Sequence, residues 1–177
     1  RSAVMIEIRE VKGKRALRRF IDFPLSLYKD CPYFTPYLFE DELANLTPSK
    51  NPASSYCDFK PMMAYKDGKA VGRICAIISR FANEKYGQKR VRFNRIDMID
   101  DIEVTKALIK AVEEFGKEHG MEEICGPLGY SDQDKEGLLT YGFDQKNMFA
   151  TFYTYPYYVD HLRALGFVED AVWTEYK

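Results

Sequence analysis

The stretch from residue 59 to 79 limits the possible folds more than any other. Two apolar-rich runs, residues 59–65 and 70–79, flank Lys66-Asp67-Gly68-Lys69. Asp-Gly between two such runs is a strong hairpin signal, because a two-residue turn of the favoured hand needs positive φ at both central positions. An antiparallel pair of long strands therefore lies in the middle of the chain.

The flanking sequence supplies partners for that pair. Residues 5–11 alternate apolar and charged side chains as a half-buried strand does, until Gly13 breaks them. Residues 14–27 put Leu17, Phe20 and Ile21 on one helical face and Lys14, Arg15, Arg18 and Arg19 on another. Pro24 should kink or stop that helix. A loop over 31–36, a short helix over 37–46 and turns over 47–55 follow. After the hairpin, residues 81–89 read as polar connection and 91–99 as a strand. Asp100 or Asp101 suits the N-cap of a helix running from Ile102 to about His119, with Gly120 as its stop. Val104, Leu108, Ala111, Val112 and Phe115 form its apolar stripe. A short strand over 122–128, a strand-like stretch over 148–154, a helix over 156–165 ended by Gly166, and a last strand over 167–176 complete the order. The expected architecture is α/β: a mixed, mostly antiparallel sheet with one parallel strand–helix–strand crossover and helices on both faces.

A length of 177 residues suits one domain. That domain is expected over residues 5–177, with Arg1 to Val4 as a remnant of expression engineering ahead of Met5. The net charge of −1 gives no global field that would recruit nucleic acid or an anionic membrane. Apolar runs such as 74–78 are too short to span a bilayer. Cys31, Cys57, Cys75 and Cys125 are irregularly spaced, with no CxxC pair, and the histidines are His119 and His161. This reads as reduced thiols in a cytoplasmic protein, with no metal site.

The order of elements, together with three stretches, resembles the GCN5-related N-acetyltransferase (GNAT) superfamily, the acyl-CoA N-acyltransferase fold. The first is Asp67-Gly68-Lys69-Ala70-Val71-Gly72-Arg73-Ile74, similar to that family's central hairpin. The second is the strand and long helix over 91–120. The third is Tyr157-Tyr158-Val159-Asp160-His161-Leu162-Arg163-Ala164-Leu165-Gly166-Phe167, similar to its helix ending in Leu-Gly-Phe. A narrower likeness, to bacterial GNAT-like proteins, rests on Phe23-Pro24, Leu27-Tyr28-Lys29 and Pro32. It continues through Cys125-Gly126-Pro127, Glu136-Gly137-Leu138-Leu139 and Gly142-Phe143-Asp144. Such proteins are often about twice this length, so the likeness implies a further domain beyond Lys177.

The resemblance implies acetyl-CoA or another acyl-CoA as donor, a small-molecule amine as acceptor, and no metal. It places the CoA pyrophosphate on backbone amides where the fourth strand turns into the long helix: Met98, Ile99, Asp101, Ile102, Glu103, Val104 and Thr105. The physics is anion binding at a helix N-terminus. The family's loop carries an Arg or Gln and two small residues, where this chain has Asp100, Glu103 and Thr105. Those carboxylates repel a pyrophosphate and suit a helix that caps itself. The family's tyrosine acid aligns with Leu162, which leaves Tyr157 or Tyr158 to protonate the leaving thiolate. Asp97, at the end of a central strand, is the candidate base. The rival expectation is a non-catalytic domain that kept the fold, lost the pyrophosphate loop and binds a ligand or partner through aromatics such as Tyr141, Phe143, Phe149, Phe152, Tyr153 and Tyr155. His161 is expected on a helix surface and His119 near a helix C-terminus.

Overall fold

The computed structural model describes residues 4–148 and 150–174. β1 (Ile6–Glu10) leads into α1 (Gly13–Leu27), α2 (Phe39–Asn45) and a 3₁₀ turn at Pro52–Ser55. The long hairpin is β2 (Cys57–Lys66) and β3 (Lys69–Ser79). α3 (Arg80–Tyr86), β4 (Arg90–Met98), α4 (Ile102–Glu118), β5 (Glu123–Cys125) and α5 (Tyr157–Ala164) follow. The sheet runs in the order β1-β2-β3-β4-β5, antiparallel except for the β4–β5 pair, which α4 connects. Asp67 and Gly68 both take positive φ, 50° and 75°, as the hairpin signal requires.

Alternation along the hairpin sorts its side chains into two cores. Met62, Ala64, Ile74, Ala76 and Ile78 face α4, where Val104, Leu108, Val112 and Phe115 cover them. Met63, Cys75 and Ile77 face the other way, onto Phe20, Ile21 and Phe23 of α1. Fully burying a residue of this size contributes roughly 1.5–3 kcal/mol, so the two layers hold the sheet between them.

Four expectations need correction. Residues 80–86 are helical, because the Ser79 hydroxyl accepts from the Ala82 amide and Gly87 closes the turn in the left-handed region. The described part of 148–154 forms no strand: the Asn147 amide donates to the carbonyls of Met148 and Thr151, so local bonds replace a ladder. Phe149 lies outside the described residues. Residues 167–174 form no strand either, since the Phe167 amide turns back to Leu162 and Arg163 pairs with Glu169. Tyr176 lies outside the described residues.

The fourth correction matters most for the site. α1 continues through Pro24 to Leu27. Proline has no N–H to donate to the carbonyl four residues back, here that of Phe20. That carbonyl accepts instead from Arg73 Nη1 at 2.9 Å. The proline thus leaves a buried acceptor for a buried cation on β3.

Candidate functional site

The site begins where the sheet opens. β4 pairs with β5 only through Arg90, Val91 and Arg92, and the Leu128 amide then bonds the Phe93 carbonyl at 2.9 Å. A Cβ on Gly126 would lie 2.6 Å from that carbonyl oxygen, so only glycine allows the approach. Beyond Phe93 the two chains part. On the other side of β4 the register with β3 shifts by one residue between the Gly72–Arg73 and Cys75–Ile77 pairings. Arg95 takes φ 50° there, as a bulge that re-aims side chains allows.

Asp97 follows the bulge and is the hub of the site. One oxygen accepts from Arg73 Nε at 2.9 Å, the other from Tyr158 at 2.9 Å and Tyr28 at 3.1 Å. The Tyr28 and Tyr158 hydroxyls also lie 2.8 Å apart, so the single Tyr28 proton is shared between Asp97 and Tyr158. Arg73 is 1% exposed and Asp97 7%. Burial pushes the Asp97 carboxyl above its usual range, while Arg73 and the two phenols pull against it. Burial, then the Asp97 charge, raises both phenols well above theirs, so they stay protonated donors.

A second buried pair stands beside the first. Glu42 of α2 takes Arg95 Nε at 2.8 Å and Nη2 at 3.0 Å, a two-pronged pair with both partners under 10% exposed. Burial works against both charges, and their mutual attraction overrides it: Glu42 is held low and Arg95 high. Arg95, Ile96 and Asp97 form one wall of a narrow pocket. Phe34 and Tyr37 form another, and Pro127, Leu138, Phe152 and Tyr153 close it.

The sequence candidates fall unevenly around this pocket. Asp97 and Tyr158 meet directly. Tyr157 lies at the same edge, its hydroxyl donating to the Met98 carbonyl at 2.6 Å. Tyr153 lies in the core and Phe152 lines the pocket, whereas Tyr141 is 89% exposed. Reading the sequence did not single out Tyr28, Arg73, Glu42 or Arg95 as site residues. Arg73 carried a signal, a charge inside a run that otherwise reads as core, whereas Arg95 and Glu42 lie among other polar residues.

The first turn of α4 is satisfied from within. The Asp101 carboxylate accepts from the Glu103 amide at 3.0 Å and from Lys66 Nζ at 2.8 Å. The Asp101 carbonyl takes the amides of Val104 and Thr105. Ile99 donates to Val71, Asp101 to Ile99, and Met98 to the Tyr158 hydroxyl. Of the seven candidate amides, Ile102 alone stands outside these bonds. Lys66 holds Asp101 below the usual carboxylate range. His161 is buried rather than on the surface, because its ring bridges Thr105 Oγ1 at 2.7 Å and Asp100 at 2.9 Å, pinning α5 to the start of α4. His119 bonds the Phe115 carbonyl at the end of α4.

The described residues contain no helix long and apolar enough to cross a membrane. No family model matches the chain. It is 36% identical to Protein YghO of Escherichia coli (strain K12) over 160 residues, 90% of this chain and 41% of that protein. It is 34% identical to the bacterial ceramide synthase of Caulobacter vibrioides over 140 residues, 78% of this chain and 36% of that protein. The chain thus spans well under half the length of these relatives. Among solved structures, the aminoglycoside acetyltransferase AAC(6')-Iy bound to a CoA bisubstrate analogue superposes with a TM-score of 0.56 at 17% identity, over 98% of this chain and 97% of that one. A mixed five-stranded sheet that opens between its fourth and fifth strands, matched to acetyltransferases along nearly its whole length, gives this chain the fold of the GCN5-related N-acetyltransferase superfamily.

Proposed function

We propose that this chain is the acyl-transferring part of an acyl-CoA-dependent N-acyltransferase whose acceptor is a long-chain amine. The observation that carries the reading is Asp97: a buried carboxylate with a raised pKa, lining the pocket where β4 leaves β5. A general base works best when its pKa lies nearer the working pH than an exposed carboxylate does. The relative named a ceramide synthase supports the acceptor class, since ceramide is an amide of a long-chain amino alcohol.

Acyl-CoA supplies the thioester carbonyl. The acceptor nitrogen bonds to the acyl carbon, the carbon–sulfur bond breaks, and the nitrogen's proton passes to Asp97. Tyr157, half-buried and kept protonated by burial, gives its proton to the departing thiolate. Tyr158 and Tyr28 position Asp97, and Arg73 compensates its charge. The amides of Ile102, outside these bonds already, and Glu103, with Lys66, would hold the pyrophosphate once the Asp101 carboxylate has turned away. As the chain stands, that carboxylate is an internal anion in the same place.

The occupied helix start is also what favours the rival, a binding domain that has lost its CoA loop. One experiment separates them: incubation with palmitoyl-CoA and a long-chain amino alcohol, with amide detected by mass spectrometry, beside thermal shift with the acyl-CoA alone. Amide formation, abolished by Asp97→Asn, is the expected result. Neither amide nor a rise in melting temperature at millimolar donor would establish the binding domain instead.

A further inference from the structure

Acyl transfer as proposed uses Asp97 and leaves Arg95 without a role, although Arg95 lines the same pocket. Glu42 engages Nε and Nη2, and Nη1 is buried with no hydrogen-bond partner. A buried donor left unpaired is destabilising, and native proteins contain few of them. Among the described residues, Arg95 is the pocket-lining side chain with such an orphaned atom. The bulge sets it there, in a positive-φ conformation that is uncommon outside glycine. Charge points the same way. Arg73, Arg95 and Lys135 lie around the pocket against Asp97 and Glu42, one positive charge in excess. Lys135 sits over the rings of Tyr37 at 4.3 Å and Phe152 at 5.8 Å. The free space is about 10 Å³, room for one water-sized group.

We propose that Arg95 is a specificity residue: its Nη1 donates to a single oxygen, hydroxyl or carbonyl, on the carbon next to the one that bears the acceptor's amine. The inference rests on the reading of Asp97 as the base that faces that amine. Arg95 and Asp97 are two residues apart and line one wall, and the free space of the pocket holds one water-sized group, so the ligand's oxygen enters it while the amine on the adjacent carbon meets Asp97 from the pocket mouth. Glu42 fixes the guanidinium by two hydrogen bonds, leaving the remaining fork preorganised for the ligand. A plain alkylamine would leave the donor unpaired, and sites built to bond a substrate oxygen reject analogues that lack it.

The test measures binding, so it does not depend on turnover. Calorimetry on the full chain compares octylamine with the matching amino alcohol and the matching amino ketone. At least one oxygen-bearing ligand should bind about tenfold tighter or better than octylamine, and the tighter of the two identifies the oxygen. In Arg95→Lys, and in an Arg95→Met/Glu42→Leu pair that removes both charges together, that preference, taken as the ratio of the two affinities within each variant, should shrink to under about threefold. Equal affinities in the wild type, or a preference that survives both variants, would overturn the proposal. Absence of amide product beside a preserved binding preference would refute the acyl-transfer reading and leave Arg95 recognition standing.

Discussion

The two ends of the β4–α4 connection treat their acidic residues in opposite ways. Asp97, on the strand, is buried against Arg73 and two phenols at a pocket wall. Asp101, four residues on, sits near the surface, closing the first turn of α4 and pairing with Lys66. Burial raises the pKa of the first, and hydrogen bonding to Lys66 lowers that of the second. A carboxylate held at a desolvation penalty beside a cleft is available for chemistry. One that satisfies a helix end and a lysine is a structural group. On the proposed acyl-transfer reading, the acceptor side is thus equipped, and the donor side is closed by its own cap.

Removing one partner on the buried side should have the largest effect. Arg73→Met leaves Asp97 charged and uncompensated and releases the Phe20 carbonyl that Pro24 cannot serve. A loss of about 3–5 kcal/mol in urea denaturation is expected. A loss below about 1 kcal/mol would put Asp97 in contact with water and erase the contrast.

The pH dependence of stability should carry opposite signs for the two aspartates. Asp97 is raised in the folded state, so its contribution is full below the ordinary carboxylate range and is lost as pH rises through the folded pKa. Asp101 is lowered, so its contribution is present above that range and is lost as pH falls through its folded pKa. Melting temperature measured across pH in Asp97→Asn should lose the decline on the alkaline side of the carboxylate range. In Asp101→Asn it should lose part of the decline on the acid side. Parallel changes in both variants would show that the two environments do not differ.

Much of this was legible because local signals agreed with the fold. Asp67-Gly68, the stripe of α4 and the acidic N-cap each carry their mechanism within a few residues. The site was legible in part. Asp97 stands out as a carboxylate at the end of a central strand, and Tyr158 lies in a helix whose ending is recognisable. Arg73, Tyr28 and Glu42 come from three other elements, and only the folded sheet brings them together. The bulge did leave a trace. Apolar residues fall at 91 and 93, then at 96 and 98, a slip of one in the two-residue period where Arg95 bulges. The absence of strands over the described part of 148–154 and over 167–174 was not readable, because side chains of suitable type found bonds within their own loops.

The smallest expected effect bears on the donor side. Asp101→Ala removes the cap on the Glu103 amide and the partner of Lys66, at a cost of about 1 kcal/mol, typical of an N-cap lost to alanine. The same change frees that amide and Lys66 and removes a negative charge from the mouth of the helix. Affinity for CoA, read by calorimetry, should therefore rise several-fold even as the protein melts earlier. Ordinarily a destabilising substitution at a binding site weakens the ligand, so the opposite movement of the two readouts is diagnostic. If both fall together, Asp101 supports the donor site rather than occupying it, and the contrast between the two aspartates has to be redrawn with each serving its own substrate.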